Sequence, residues 1–368
     1  MADSLLFIPD ISGFSEFVTQ TEIQHSQHII AELLDLVLAS NQLKMQVSEI
    51  EGDAVLFYRF EDVPTAEELI DQVRTLFVRF HTHLRQYDRD RVCQCGACSN
   101  ASGLTLKVVI HAGQFDFIKI RNHKKLHGKA VIVAHRLLKN EIEGGEYALF
   151  SQAFDPKEVS ASALNNSWAS SFSGSATYSD VGKMEYTYIP LTNLHAEVRL
   201  PDPPPLPERQ ANPIVAETVI NCSASTVFEL LTNLDYRMLW NKAAQELEFE
   251  KGQLNRAGME HICVFPTARL RFRTLSGASN NDDMVYGEVV DKFPLLQQFA
   301  NYFVVTPLAE HQCKLRGEAH LKPYPWIGKL LALPVQKQLK RNMPKTLHSL
   351  KRFAESEKGI EEYQTDAP

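Results

Sequence analysis

The chain has too little cysteine for disulfides to hold it together. Six occur in 368 residues, a usage that fits reduced thiols or metal ligands in a reducing compartment. It also lacks an excess of basic charge: 38 Lys and Arg stand against 45 Asp and Glu, for a formal net charge of −7, which argues against nucleic acid as a general partner. No apolar run approaches the roughly 18 residues that a membrane-spanning helix requires, and the opening Met-Ala-Asp-Ser lacks the basic-then-apolar pattern of a secretory leader. A cytoplasmic location is the expectation that follows. Proline is ordinary in number, 18 of 368, but concentrated, with five in the seven residues 201–207. Such a stretch neither pairs in a sheet nor continues a helix, so residues 199–212 are expected to be a semi-rigid spacer. With 44% hydrophobic and 23% charged residues, the chain suffices for two domains with ordinary cores, one on each side of the spacer.

Two short acidic segments each place an aspartate at the edge of an apolar strand. Asp10 ends the run Leu5-Leu6-Phe7-Ile8, and Asp53 follows Gly52 in the turn between residues 45–50 and 54–60, which read as the two arms of a hairpin. If the strands are neighbours, the carboxylates converge on one site, and hard oxygen donors suit magnesium or manganese. The alternative is that both aspartates punctuate turns. Apolar spacing predicts a helix from Ile11 to about Ser40 and another over residues 65–87, alternating with strands as in an α/β sandwich.

The order of elements, with Leu-Thr-Leu-Lys-Val-Val-Ile-His-Ala-Gly at 104–113 and Gly-Lys-Ala-Val-Ile-Val-Ala-His-Arg-Leu at 128–137, resembles the class III nucleotidyl cyclase catalytic domain, most like the uncharacterised cyclase-homology domains of bacteria. The resemblance covers roughly residues 3–191. It implies a ferredoxin-like core and a head-to-tail homodimer sharing its active sites. It also implies Mg or Mn on Asp10 and Asp53, a purine nucleoside triphosphate as ligand, and phosphate held by Arg136. The base-selecting positions fall on Glu49 and Lys125: a carboxylate accepts from guanine N1 and N2, and a lysine donates to O6; the alternative is that both are surface charges on loops. The family's ribose-orienting asparagine falls on Ile132, which can neither donate nor accept a hydrogen bond, and this puts catalysis in doubt. Lys119, Arg121, Lys124, Lys129 and Arg136 surround the same region and favour an anion.

Cys93, Cys95 and Cys98 form a Cys-x-Cys-x-x-Cys cluster expected in a loop. Three thiols so close can converge on zinc, with a histidine or water as fourth ligand, or remain reduced thiols in a turn. The Ser/Ala/Asn-rich residues 160–179 read as a loop-rich connection.

Beyond residue 212 the pattern changes to a strand (214–220), a helix capped by Ser223 or Ser225, a run of strands, and a long basic amphipathic terminal stretch that Pro334 and Pro344 are expected to kink or break. Residues 219–231 and Trp240 resemble the START-like superfamily, in particular its polyketide-cyclase and dehydrase-like members. That resemblance implies a helix-grip fold and an apolar cavity for a hydrophobic small molecule or lipid. No polar constellation in this half stands out as catalytic, and Arg269, Arg271 and Arg273 read as a solvated strand face. The terminal basic stretch, which includes Trp326, Ile327, Lys329, Leu330, Leu331 and Leu333, reads as the wet side of a packed helix in preference to a membrane-surface contact.

The expected fold is therefore α+β, with a cyclase-type α/β sandwich over 1–198, the spacer over 199–212, a START-like domain over 213–356 and a polar tail over 357–368. The expected function is a signalling or regulatory protein that couples a degenerate nucleotide-binding cyclase-like domain to a sensor of an apolar ligand. The alternative is an active nucleotidyl cyclase that prefers guanine.

Overall fold

The computed structural model describes residues 4–21, 23–93, 95–203, 205–276, 283–325 and 328–356. The polar tail, Trp326 and Ile327, and the side chains of Lys329 and Leu331 lie outside the described residues. The chain is α+β and divides into two compact units, Met1–Gln86 with Ser99–Pro201, and Tyr87–Cys98 with Asp202–Pro368. The segment holding the three clustered cysteines thus groups with the second unit.

In the first unit, β1 (Ser4–Ser12) is followed by α1 (Phe14–Gln20), α2 (Ile23–Ala39), β2 (Gln46–Glu51), β3 (Ala54–Arg59) and α3 (Ala66–Asp90). After α4 (Gly96–Asn100) come β4 (Thr105–Gly113), the ribbon β5 (Asp116–Ile120) and β6 (His123–His127), α5 (Lys129–Leu137), β7 (Tyr147–Ser151), α6 (Pro156–Leu164), β8 (Phe172–Tyr178) and β9 (Gly182–Pro190). The sheet order is β2-β3-β1-β4-β7-β9-β8. Its first four strands, with the helices between them, make the split βαββαβ arrangement of a ferredoxin-like core. Two expectations change here. The single helix expected from Ile11 is preceded by strand through Ser12, because Ile11 and Ser12 pair with Leu106 and Thr105. Gly13 then adopts φ 87° to turn the chain into α1. The supposed loop at 160–179 holds the end of α6 and the edge strand β8, whose run of small residues, Ser173 to Thr177, pairs with β9. A low-complexity composition concealed an ordinary edge pairing.

In the second unit, β10 (Ile214–Ile220), α7 (Ala224–Thr232) and α8 (Arg237–Trp240) precede the strands β11 (Glu246–Glu248), β12 (Glu260–Phe265), β13 (Ala268–Ser276), β14 (Met284–Val290), β15 (Gln298–Ala309) and β16 (Gln312–Lys322). The chain closes with α9 (Gly328–Ala354). The seven strands form one antiparallel sheet in the order β10-β16-β15-β14-β13-β12-β11, and Leu347 and Leu350 of α9 join Ile220, Phe303 and Leu315 in its core. This is the element order expected of a helix-grip domain. Ser223 caps α7, accepting from the Thr226 amide at 3.1 Å. Of the kink or break expected at Pro334 and Pro344, no break occurs: α9 continues through both. Both prolines are exposed, so water can satisfy the carbonyls that lose an amide partner. Part of the spacer is docked on its own unit: the Gln210 amide donates to His320 Nδ1 at 2.9 Å, and Arg209 lies 4.1 Å over the Tyr302 ring.

Candidate functional site

Strand alternation puts Leu6, Ile8 and Asp10 on one face of the first sheet. There Leu6 and Ile8 pack with Ala54, Leu56 and Tyr58 against Ala130, Val131 and Ala134 of α5. Asp10 stands opposite Ala54 on β3 and Lys107 on β4. Asp53 occupies the turn beside it, its carbonyl accepting from the Ile11 amide at 3.0 Å. Burial pushes the Asp10 carboxyl above its ordinary range, Lys107 opposes the shift, and the neighbouring charge of Asp53 adds to it. The Lys107 ammonium is 3.3 Å from Asp10 Oδ1. These groups fit a hard divalent cation in donor type: both are carboxylates, and their mutual repulsion is the kind that a magnesium or manganese ion relieves. Lys107 already supplies part of that neutralisation. Sequence reading missed it because only the β1–β4 register brings it to Asp10.

The ribbon β5–β6 is clamped over the β2–β3 hairpin by aromatic contacts. Phe117 lies 5.4 Å from Tyr58, and Phe115 lies 5.1 Å from Phe60, between ring centroids. This clamp brings Lys125 Nζ to 3.4 Å from Glu49 Oε2 and 4.0 Å from Glu51 Oε1, so residues 76 positions apart in sequence form one charged pair. The other carboxylate oxygen, Glu49 Oε1, is buried and has no hydrogen-bond partner. An orphaned acceptor of this kind is costly unless something donates to it.

On α5, Ala130, Val131, Val133, Ala134 and Leu137 are buried, whereas Ile132 is 50% exposed. Arg136, one turn beyond Ile132, is ion-paired with Asp180 at 2.7 Å. Neither side chain is gathered with Asp10 or Glu49.

The thiols of Cys93, Cys95 and Cys98 lie within 4.8 Å of one another, where sulfurs on one tetrahedral zinc stand about 3.8 Å apart. The amides of Cys95 and Cys98 donate to Cys93 Sγ and Cys95 Sγ at 3.4 Å each, and Tyr87 donates to Cys98 Sγ at 3.0 Å. Such donors stabilise thiolates held on a metal. Hydrogen bonding to Cys95 and Cys98, followed by burial, pushes the Cys93 thiol far above its usual value; a bound cation would reverse that balance. The donor set fits zinc. Cys98 lies in the short helix α4 where a loop was expected.

Two further constellations escaped the sequence reading. In the second unit Arg237 and Glu288 are fully buried and paired at 2.5 Å. Tyr286 donates to Glu288 Oε1 at 2.6 Å, and Asn255 donates to Tyr286 at 3.1 Å. Burial drives the His261 imidazole down to about 4. These residues lie on α8, the connection before β12, β12 and β14, and no local spacing connects them. In the first unit, His81, Glu146 and His195 converge from three separate elements. Arg269 and Arg271 are exposed and paired with Glu248 and Glu260, whereas Arg273, expected on the same solvated face, is only 15% exposed and pairs with Asp291.

No helix among the described residues is long and apolar enough to cross a membrane. The family model "Protein of unknown function (DUF2652)" matches residues 30–147. A relative, "Uncharacterized protein Rv2561/Rv2562" of Mycobacterium tuberculosis, is 32% identical over 118 residues, covering 32% of this chain and 55% of its own length. The chain thus spans about half of that relative. Among solved structures, the guanylate cyclase domain of RhGC from Catenaria anguillulae in complex with GTP is similar at 16% identity and a TM-score of 0.35, covering 51% of this chain and 96% of its own. Norcoclaurine synthase from Thalictrum is similar at 11% identity and a TM-score of 0.31, covering 39% and 97%.

Proposed function

We propose that the first unit is a degenerate nucleotidyl-cyclase-like domain that binds a purine nucleoside triphosphate with magnesium or manganese, and that the second unit binds an apolar small molecule or lipid, making the chain a ligand-responsive regulator. The observation that carries the nucleotide reading is the Glu49–Lys125 pair with its orphaned Glu49 Oε1. A guanine edge offers two donors, N1–H and N2–H, for the carboxylate, and O6 as an acceptor for the ammonium. Asp10 and Asp53 would hold the metal, which supplies charge neutralisation to the phosphates. Support for a poorly catalytic site is Ile132, which cannot orient a ribose hydroxyl. Losing one transition-state hydrogen bond costs about a hundredfold or more in rate. The solvent-facing Ile132 and Arg136 suit a head-to-tail homodimer in which α5 reaches the partner's site. The apolar-ligand reading rests on the START-like sequence features and the antiparallel sheet packed by α9.

The test is equilibrium binding of a fluorescent guanine nucleotide with manganese to the full chain, together with assay of cyclic product. Asp10→Asn and Asp53→Asn should each weaken binding at least about tenfold, and the unaltered protein should turn the nucleotide over slowly or not at all. Brisk cyclisation would establish the active-enzyme alternative. Native mass spectrometry of the gently purified chain should show an added apolar mass, and its absence under all purification conditions would count against the sensor role.

A further inference from the structure

His81 on α3, Glu146 immediately before β7 and His195 in the 3-10 turn Thr192–Ala196 are far apart in sequence, yet their ligand atoms all lie within 4.8 Å of one another. The backbone fixes this convergence: the Leu191 amide donates to the Glu146 carbonyl at 3.0 Å, which ties the turn to the start of β7. The Phe77 ring lies 4.2 Å from that of His81 and 5.2 Å from that of His195. His195 Nε2 is 3.0 and 3.1 Å from the two oxygens of Glu146. His81 Nε2 points at the same carboxylate from 3.4 Å but makes no hydrogen bond, although its side chain is only 6% exposed. A buried imidazole nitrogen aimed at a carboxylate without bonding to it leaves room for a shared partner.

We propose that His81, Glu146 and His195 form a divalent-metal site of zinc type, with three protein ligands and water in the fourth position. Two imidazoles and one carboxylate are donors for zinc and its borderline neighbours, whereas magnesium and calcium prefer oxygen alone. The open position lies on the side of His195, whose side chain is 29% exposed. The metal would staple α3 to the start of β7 and to the closing turn. Arg85 donates to His195 Nδ1 at 3.2 Å. Ligation through Nε2 places the ring proton on Nδ1, so this guanidinium must swing away, as its exposed position allows.

Cobalt(II) titration of the full chain tests the site, because thiolate-to-cobalt charge transfer marks any ion on Cys93, Cys95 and Cys98 and leaves a nitrogen–oxygen site to be read separately. Beside any cobalt on the cysteines, the unaltered protein should take up one cobalt whose own visible bands lack thiolate character. His195→Gln and Glu146→Gln should each weaken that uptake by roughly 100-fold or more without changing the thiolate band, while Arg85→Ala should bind at least as tightly as the unaltered chain. The proposal is overturned if folded His195→Gln and Glu146→Gln bind cobalt as the unaltered protein does. If both variants fail to fold, the unaltered protein alone decides, and absence of a thiolate-free cobalt component overturns the site.

Discussion

Replacing Glu288 with glutamine removes one charge from the most deeply buried ion pair among the described residues and leaves almost every contact in place. Arg237 Nη2 would keep the Leu231 carbonyl at 3.1 Å and the Tyr286 hydroxyl at 3.2 Å, and its ring contact with Trp240 at 5.3 Å. Its counter-charge would be gone. A guanidinium whose surroundings are fully desolvated pays heavily for this, and breaking buried pairs costs about 3–5 kcal/mol. For a unit of this size 1 kcal/mol moves the melting temperature by about 2–4 °C, so calorimetry of the full chain at neutral pH should show one transition lowered by roughly 6–20 °C. The paired replacement Arg237→Met with Glu288→Met removes both charges and should cost less than Glu288→Gln alone, since no unpaired ion remains. A single variant that melts within about 2 °C of the unaltered protein, or a double variant worse than the single, would refute the reasoning.

Two other outcomes follow from the titrating and sulfur groups. Burial lowers His81 to about 3 and His261 to about 4. Between pH 6.5 and these values the unfolded chain binds protons that the folded chain refuses, so their contribution is present at neutral pH and is lost as pH falls. Each should cost about 2 kcal/mol at pH 5, and urea midpoints that do not change between pH 7 and pH 5 would contradict this. Protein purified without chelator should carry about one zinc on the cysteine cluster, released by chelator together with a drop in melting temperature. Metal-free protein whose Cys93, Cys95 and Cys98 alkylate freely would show the thiols to be unligated.

Periodicity made much of the fold legible, because strand and helix patterns are local. Residues 214–220 emerge as β10 with the expected bounds, and the Ser223 cap and the 45–60 hairpin were visible for the same reason. Composition misled where pairing decides: Phe172–Tyr178 is a strand because β9 lies beside it. For the candidate site, motif order suggested Asp10, Asp53, Glu49 and Lys125, but the Asp10–Lys107 and Glu49–Lys125 pairs depend on register and on the aromatic clamp of the β5–β6 ribbon. Lys107, the Arg237–Glu288 pair and the His81–Glu146–His195 cluster each join separate elements. No spacing along the chain announces them.

The most direct test of the central claim is a competition measurement of GTP against ATP on the full chain with manganese, repeated with Glu49→Gln. An added carboxylate hydrogen bond to guanine predicts that GTP binds roughly tenfold more tightly than ATP and that Glu49→Gln erases the difference. Equal or reversed preference in the unaltered protein would contradict the role of Glu49, and no binding of either nucleotide would contradict the account of the first unit as a nucleotide-binding domain.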